Sequence, residues 1–242
     1  MASVALVRRS FRTDGGAEKA MVNYLNAYLN AGHEVTLICE TWSGILPNKL
    51  RVIEISLWGG RTCKLWLFWY NVRRIVAKER FDWTQAHEWF DQSEVVRLGD
   101  GLHTAWFRRV LNERYWLHRW FTRLSLFHLS KCWMERRTLT SARVKTIIVN
   151  SDFIATQVLK CYPRVEDKLV VHRNVSSLRL SQNVVKVTQE QPQTLKLLFV
   201  GSGWSRKGLS RVIDIMDSLR QHRPCSLTVY GSDKNAQKYV SQ

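Results

Sequence analysis

Apolar and polar residues fall along this chain in two alternating periods, and each change of period marks an element. Ser3 to Val7 is a short apolar run bounded by Arg8 and Arg9, which predicts a buried strand. Ala17 to Asn30 carries apolar residues at Ala20, Met21, Tyr24, Leu25, Tyr28 and Leu29, the spacing of one helical face, and Gly32 is placed to end that helix. Val35 to Cys39 predicts a second buried strand. Strand, helix and strand within roughly 40 residues make a βαβ unit, and hence a parallel sheet. Val52 to Ile55 predicts a third strand, Leu65 to Lys78 a helix, and Trp83 to His87 the strand after it. Thr146 to Val149 and Leu169 to His172 read as further strands on either side of a helix over Asp152 to Cys161.

The pattern then breaks. Residues 176–193 are rich in Ser, Gln and Asn and carry no helical stripe. A new cycle follows: strand Leu195 to Val200, loop Gly201 to Ser205, helix Lys207 to Gln221 with its stripe at Leu209, Val212, Ile213, Met216 and Leu219, then strand Leu227 to Tyr230. The expected organisation is an α/β domain over residues 1–176, a linker over 177–194 and a second α/β unit over 195–242. Two strands and one helix cannot cover both faces of a parallel sheet. The second unit therefore reads as the first part of a larger domain.

Composition narrows the function classes. The chain has 242 residues, 45% hydrophobic and 24% charged, which excludes wholesale disorder. Its formal net charge of +17 points to an anionic partner: nucleic acid, membrane phosphates or a phosphorylated substrate. Five cysteines, an odd number with wide spacing and no CxxC, argue against a disulfide framework or a zinc site and for a reducing compartment. No apolar run approaches the ~18–20 residues needed to span a bilayer, and the apolar stretch at the N-terminus is too short for a signal peptide. The expected location is cytoplasmic, with any membrane contact peripheral.

Four constellations carry candidate chemistry. Thr13 to Lys19 joins a strand to a helix through Gly15 and Gly16; it suits an anion at the helix N-terminus, or is only a glycine turn. It is not a GxGxxG fingerprint. Arg97 to His103 holds Asp100 between two glycines with His103 three residues on, a carboxylate and an imidazole that can orient or deprotonate a hydroxyl. The competing reading makes Asp100 the cap of a helix from Thr104. His87-Glu88 closes a predicted strand and repeats the idea at a strand end, where α/β folds gather ligands. Gly201 to Gly208 sets Arg206 and Lys207 at a helix start, where cations are disfavoured unless a phosphate lies between them and the amides; a solvated basic turn is the competing reading.

The fourth is a basic, aromatic segment over residues 104–137. It includes Arg108, Arg109, Arg119 and Arg123, interleaved with Trp106, Trp116, Trp120 and Trp133. Arg beside Trp suits a membrane interface. A helical hairpin with core aromatics and a nucleic-acid stacking surface are the competing readings. No zinc-finger spacing, RNA-recognition signature or heptad-linked basic region supports the last.

These residues in this order resemble the family-4 glycosyltransferases of GT-B architecture, and within them the bacterial lipopolysaccharide-core glucosyltransferase group. The matching stretches are Asp14 to Lys19, Ala31 to Val35, Ala86 to Glu88, Arg97 to His103, Asn150-Ser151, Lys168 to Val171 with Asn174, and Leu198 to Gly208. The resemblance implies one complete Rossmann-like domain and the first part of a second. It implies a hexosyltransferase that moves a hexose, glucose by this reading, from a nucleotide sugar such as UDP-glucose to the lipopolysaccharide inner core, with retention of configuration. Gly15, Gly16, Gly201, Arg206 and Lys207 would bind the donor. Asp100 would sit at the acceptor hydroxyl with His103 and His87 nearby. No cofactor and no metal are implied. Arg108, Arg109, Trp116, Arg119, Trp120 and Arg123 would rest on the anionic cytoplasmic face of the inner membrane, near the lipid-linked core oligosaccharide. The family also carries a Glu-x7-Glu pair beyond the part matched here, so the chain reads as C-terminally truncated. An inactive remnant or partner-dependent subunit is the alternative reading, and a basic nucleic-acid-binding protein a third.

Overall fold

The computed structural model describes residues 1–12, 16–43, 47, 49–113, 124–174, 194–234 and 236–240. The chain divides into two compact units, Met1–Ser177 and Leu178–Gln242. The linker expected over 177–194 lies, but for Thr194, outside the described residues.

Unit 1 is built on a seven-stranded, all-parallel sheet. Its strands are β1 (Ser3–Val7), β3 (Glu34–Cys39), β5 (Leu50–Glu54), β6 (Trp83–Ala86), β7 (Val95–Leu98), β8 (Thr146–Val149) and β9 (Leu169–Val171), in the order β5-β3-β1-β6-β7-β8-β9. That is the doubly wound order of the expected Rossmann-like domain, with its reversal between β1 and β6. A small separate ladder pairs β2 (Ser10–Arg12) with β4 (Thr41–Ser43), an element the hydrophobic pattern does not reveal.

The helices cover both faces. Helix α1 (Gly16–Asn30) buries Met21 and Leu25 against Leu6, Val35, Leu37 and Cys39. Helix α2 (Arg61–Glu79) buries Leu65, Phe68, Val72 and Val76, and the last three pack with Ala5, Val7, Ile38 and Phe90. Alternate residues of β1 thus face opposite helices, the period-two consequence of a strand covered on both sides. Helix α3 (His103–Glu113), α4 (Leu126–Leu139) and α5 (Asp152–Cys161) close the far half over Val96, Leu98, Ile147 and Val149. The Ser151 hydroxyl caps α5 by accepting from the Ile154 amide. All five cysteines are free thiols.

Helix α3 is capped across the fold. The fully buried Glu135 of α4 accepts the Thr104 amide through Oε2 at 3.1 Å and the Tyr162 hydroxyl through Oε1 at 3.0 Å. A carboxylate at a helix N-terminus meets the positive end of the macrodipole. This corrects the capping reading of Asp100: the group that accepts from the first turn comes from a helix 31 residues away.

Unit 2 pairs β10 (Leu195–Val200) with β11 (Cys225–Tyr230), again in parallel. Leu227 and Val229 face Leu209, Ile213 and Met216 of α7 (Leu209–Arg220), with Trp204 and Tyr239 alongside. Leu198, Val200 and Tyr230 on the other face stand exposed. The single helix expected from Lys207 is in fact two, because Gly208 adopts φ +83° and separates α6 (Trp204–Lys207) from α7. A short α8 (Gln237–Val240) follows.

Truncating Glu135 to alanine strands two half-buried donors. The variant is expected to lose about 3 kcal/mol of unit 1 stability. Urea unfolding followed by tryptophan fluorescence reads it, since every tryptophan but Trp204 lies in unit 1.

Candidate functional site

The carboxyl ends of the central strands supply the site. Arg8 follows β1, His87 and Glu88 follow β6, Gly99 and Asp100 follow β7, and His103 opens α3. Together with Arg61 of α2 and Phe127, His128 and Lys131 of α4, they line a cavity of about 470 Å³ within unit 1. It lies at the topological switch point, where open α/β sheets bind ligands. The three residues predicted to meet the acceptor (Asp100, His103 and His87) are thus brought into one pocket.

His87 is held in one tautomer. The Tyr28 hydroxyl donates to Gln85 Oε1 at 2.7 Å, which turns the amide nitrogen of Gln85 toward His87 Nε2 at 2.9 Å. An amide nitrogen only donates, so Nε2 accepts and the imidazole proton resides on Nδ1. That Nδ1 is buried and has no hydrogen-bond partner among the described residues. Burial first, then the charges of Arg97 and Arg8, push the His87 pKa down to about 3. The ring is neutral at pH 7.

Arg97 is the least exposed cation of the pocket, at 4%. It lies within β7, between the buried Val96 and Leu98. Its Nη2 donates to Asn174 Oδ1 at 2.6 Å, its guanidinium lies 5.7 Å from the Tyr24 ring centroid, and its buried Nε has no partner among the described residues. Among the described residues no carboxylate pairs with it. The sequence reading named Arg97 only as the first residue of a loop motif. The available signal was an arginine inside the run Val95-Val96-Arg97-Leu98, which the pattern left unassigned as a strand.

His103 stacks on His128, with Nε2 and Nδ1 3.2 Å apart, and Phe107 stacks on both rings. Burial, then Lys131 and His128, bring the His103 pKa down to about 4. The pocket therefore carries four permanent cations, Arg8, Arg61, Arg97 and Lys131, against the carboxylates of Glu88 and Asp100. Glu88 accepts the Arg9 amide at 3.3 Å. Asp100 is exposed at the mouth, and no hydrogen bond or ion pair among the described residues engages its carboxylate. It is free to accept from a ligand hydroxyl.

The predicted donor residues are placed as follows. Gly15 lies outside the described residues, and Gly16 opens α1. Gly201 has φ +149°, and a Cβ there would collide with the Lys207 side chain, so Lys207 lies across it. Gly231 likewise admits no Cβ, because Gly201's carbonyl passes against it. Arg206 and Lys207 end α6 and precede α7, which corrects their expected place at a helix start.

Of the predicted membrane residues, Arg108 and Arg109 stand exposed on α3, while Trp116, Arg119, Trp120 and Arg123 lie outside the described residues. The remaining aromatics divide. Phe107 is buried, and Trp133 of α4 packs on Trp66 and Trp69 of α2 with ring centroids 5.2 and 6.1 Å apart. Trp66, Tyr70, Leu126, Leu129 and Trp133 nevertheless remain exposed along α2 and α4, beside Arg73, Arg74 and Arg137. No helix among the described residues is long and apolar enough to cross a membrane.

A family model described as Glycosyltransferase Family 4 matches residues 14–175, well over half of the chain. Among solved structures, WaaG, a glycosyltransferase involved in lipopolysaccharide biosynthesis, is similar with a TM-score of 0.77 at 19% identity, over 98% of this chain and 65% of that one. A glycosyltransferase from Rickettsia africae ESF-5 is similar with a TM-score of 0.52 at 13% identity, over 96% of this chain and 69% of that one. These likenesses establish a shared GT-B-type fold, of which this chain spans about 65% of the WaaG length. A search of curated protein sequences finds no match.

The two depressed histidines make stability depend on pH in a defined direction. The unfolded chain protonates them near 6.5 and the folded one only near 4 and 3, so below pH 6.5 the unfolded state binds more protons and stability falls. His103→Gln should lose less stability than wild type between about pH 6.5 and 4.5 in urea titrations. An identical pH dependence in the two proteins would contradict the assignment.

Proposed function

The chain belongs to glycosyltransferase family 4, and on that premise we propose that it transfers a hexosyl group, glucose in this reading, from a nucleotide sugar to a hydroxyl of the lipopolysaccharide inner core, with retention of configuration. The observation that carries this reading is the pocket at the switch point. It joins an unengaged carboxylate, Asp100, to neutral imidazoles and surplus cations. In this reading Asp100 accepts the hydrogen bond of the acceptor hydroxyl and aims its oxygen at the anomeric carbon. The glycosidic bond forms as the anomeric carbon separates from the diphosphate, and the hydroxyl proton passes to the departing phosphate oxygen. Neutral His87 and His103 present hydrogen-bonding edges to the acceptor's other hydroxyls. The nucleotide sugar brings the reactive bond with it, so the step calls on no cofactor.

On the donor side, Gly201, Arg206 and Lys207 of unit 2 receive the diphosphate. Lys207 folded across Gly201 supports this, because it holds an ammonium beside backbone that no side chain obstructs. Positive charge there stabilises the leaving nucleotide as its own charge develops. The lipid-linked acceptor brings the enzyme to the cytoplasmic face of the inner membrane. The exposed Trp66, Tyr70, Leu129 and Trp133, flanked by arginines, support a peripheral interfacial surface.

Asp100→Asn tests the reading. It should lower transfer about 10²–10⁴-fold and leave the urea midpoint unchanged, since Asp100 caps nothing. Transfer within a few fold of wild type by a folded variant would contradict the role.

A second test is sedimentation with vesicles. Binding to anionic vesicles should fall in Leu129→Glu/Trp133→Glu and weaken with salt, at roughly 1 kcal/mol per basic residue near the surface. Equal pelleting with neutral and anionic vesicles would rule out the electrostatic part of the account.

A further inference from the structure

Burying a charge without a partner is costly, and proteins ordinarily avoid it. Arg97 breaks that rule. It is 4% exposed on a central strand, and among the described residues it donates to the neutral Asn174 while its Nε meets no acceptor. A second buried donor of the same pocket, His87 Nδ1–H, is unsatisfied too. Two unmet donors in one wall are the imprint of an acceptor that the described residues do not supply.

The approach to Arg97 is kept open. A Cβ on Gly99 would lie 3.1 Å from Arg97 Nη1, so the missing side chain leaves that nitrogen uncovered beside the cavity that Gly99 lines. Around the rim stand Arg8, Arg61 and Lys131. Arg61 and Lys131 each lie over the Phe127 ring, at 4.3 and 5.4 Å from its centroid, which orders both cations at the pocket. The pocket's cations exceed its carboxylates by two, which matches the charge of about −1.5 to −2 on a phosphate monoester at pH 7.

We propose that this pocket is a phosphate subsite for the acceptor, with Arg97 as its central ligand, His87 Nδ1–H as a second donor and Lys131 and Arg61 at its rim. The inference rests on the glycosyltransferase reading for the saccharide that carries the group and goes beyond it in the substrate class: the acceptor is a phosphorylated sugar, and Arg97 selects it. Arginine suits the task because its planar fork meets phosphate oxygens in pairs. Asp100, exposed at the mouth, then faces a hydroxyl of the anchored sugar.

The subsite also explains why an unpaired guanidinium persists. A residue kept for binding at the expense of stability yields a stabler protein when it is removed. A residue kept for packing yields the opposite.

The test uses the full chain, inorganic phosphate as the probe and low ionic strength, with Arg97→Met and Arg97→Lys. Wild type should gain thermal stability with phosphate. Arg97→Met should start at a higher melting temperature than wild type and bind phosphate roughly ten- to a hundredfold more weakly. Arg97→Lys should keep charge but recover only part of the affinity. A melting temperature below wild type with an unchanged phosphate response in Arg97→Met would overturn the proposal. So would loss of the phosphate effect in saturating UDP, which would assign the anion to the donor. A transfer assay with phosphorylated and dephosphorylated saccharide acceptors separates this subsite from the enzymatic reading. Arg97-dependent phosphate binding with no transfer to either acceptor overturns the enzymatic reading and supports the anion site. Equal transfer to both acceptors overturns the subsite and supports the enzyme.

Discussion

A buried guanidinium with no carboxylate to neutralise it governs the chemistry of unit 1. Arg97 sits in a strand flanked on both sides by other strands, where its neighbours among the described residues offer Asn174 and the face of Tyr24. Its field reaches His87, where it adds to burial in keeping the ring neutral. With protonation suppressed, the hydrogen bonds alone decide the tautomer, and the chain from Tyr28 through Gln85 puts the proton on Nδ1. The pocket thus combines fixed positive charge with imidazoles that donate and accept but do not charge. Such preorganised donors suit a site that must bind anionic or hydroxyl-rich groups without reorganising.

The same economy appears at α3. A loop carboxylate next to a helix is often consumed as its cap. Here Glu135, rising from α4 beneath the helix start, takes the Thr104 amide and the Tyr162 hydroxyl. Asp100 is left at the pocket mouth with its lone pairs open. The openness of Asp100 therefore depends on a residue from another helix.

Much of the fold was legible because its signals are local. Apolar runs such as Ser3 to Val7 and Val35 to Cys39 can only be buried strands, and the 3.6-residue stripe of α1 follows from neighbouring residues. Strand β7 was not legible, because Arg97 interrupts a run of only four residues and the feature that makes the site also hides the strand. The boundary at Gly208 was not legible because the apolar stripe of α7 begins only at Leu209 and says nothing of the residues before it, whereas the positive φ of Gly208 fixes the helix start. In the site, Asp100, His103 and His87 could be named from motifs at strand ends. His128, Lys131 and Arg61 could not be joined to them, since they arrive from α4 and α2 through tertiary packing. The cap from Glu135 is non-local for the same reason.

The central claim is that Arg97 and burial together hold His87 neutral, with its proton on Nδ1. Long-range proton–nitrogen NMR of the imidazoles observes both the charge and the tautomer directly. The account predicts a neutral His87 protonated at Nδ1 from pH 7 down to about 4, and a pKa that rises in Arg97→Met. A wild-type His87 that titrates near the ordinary histidine value, or that carries its proton on Nε2, would contradict it.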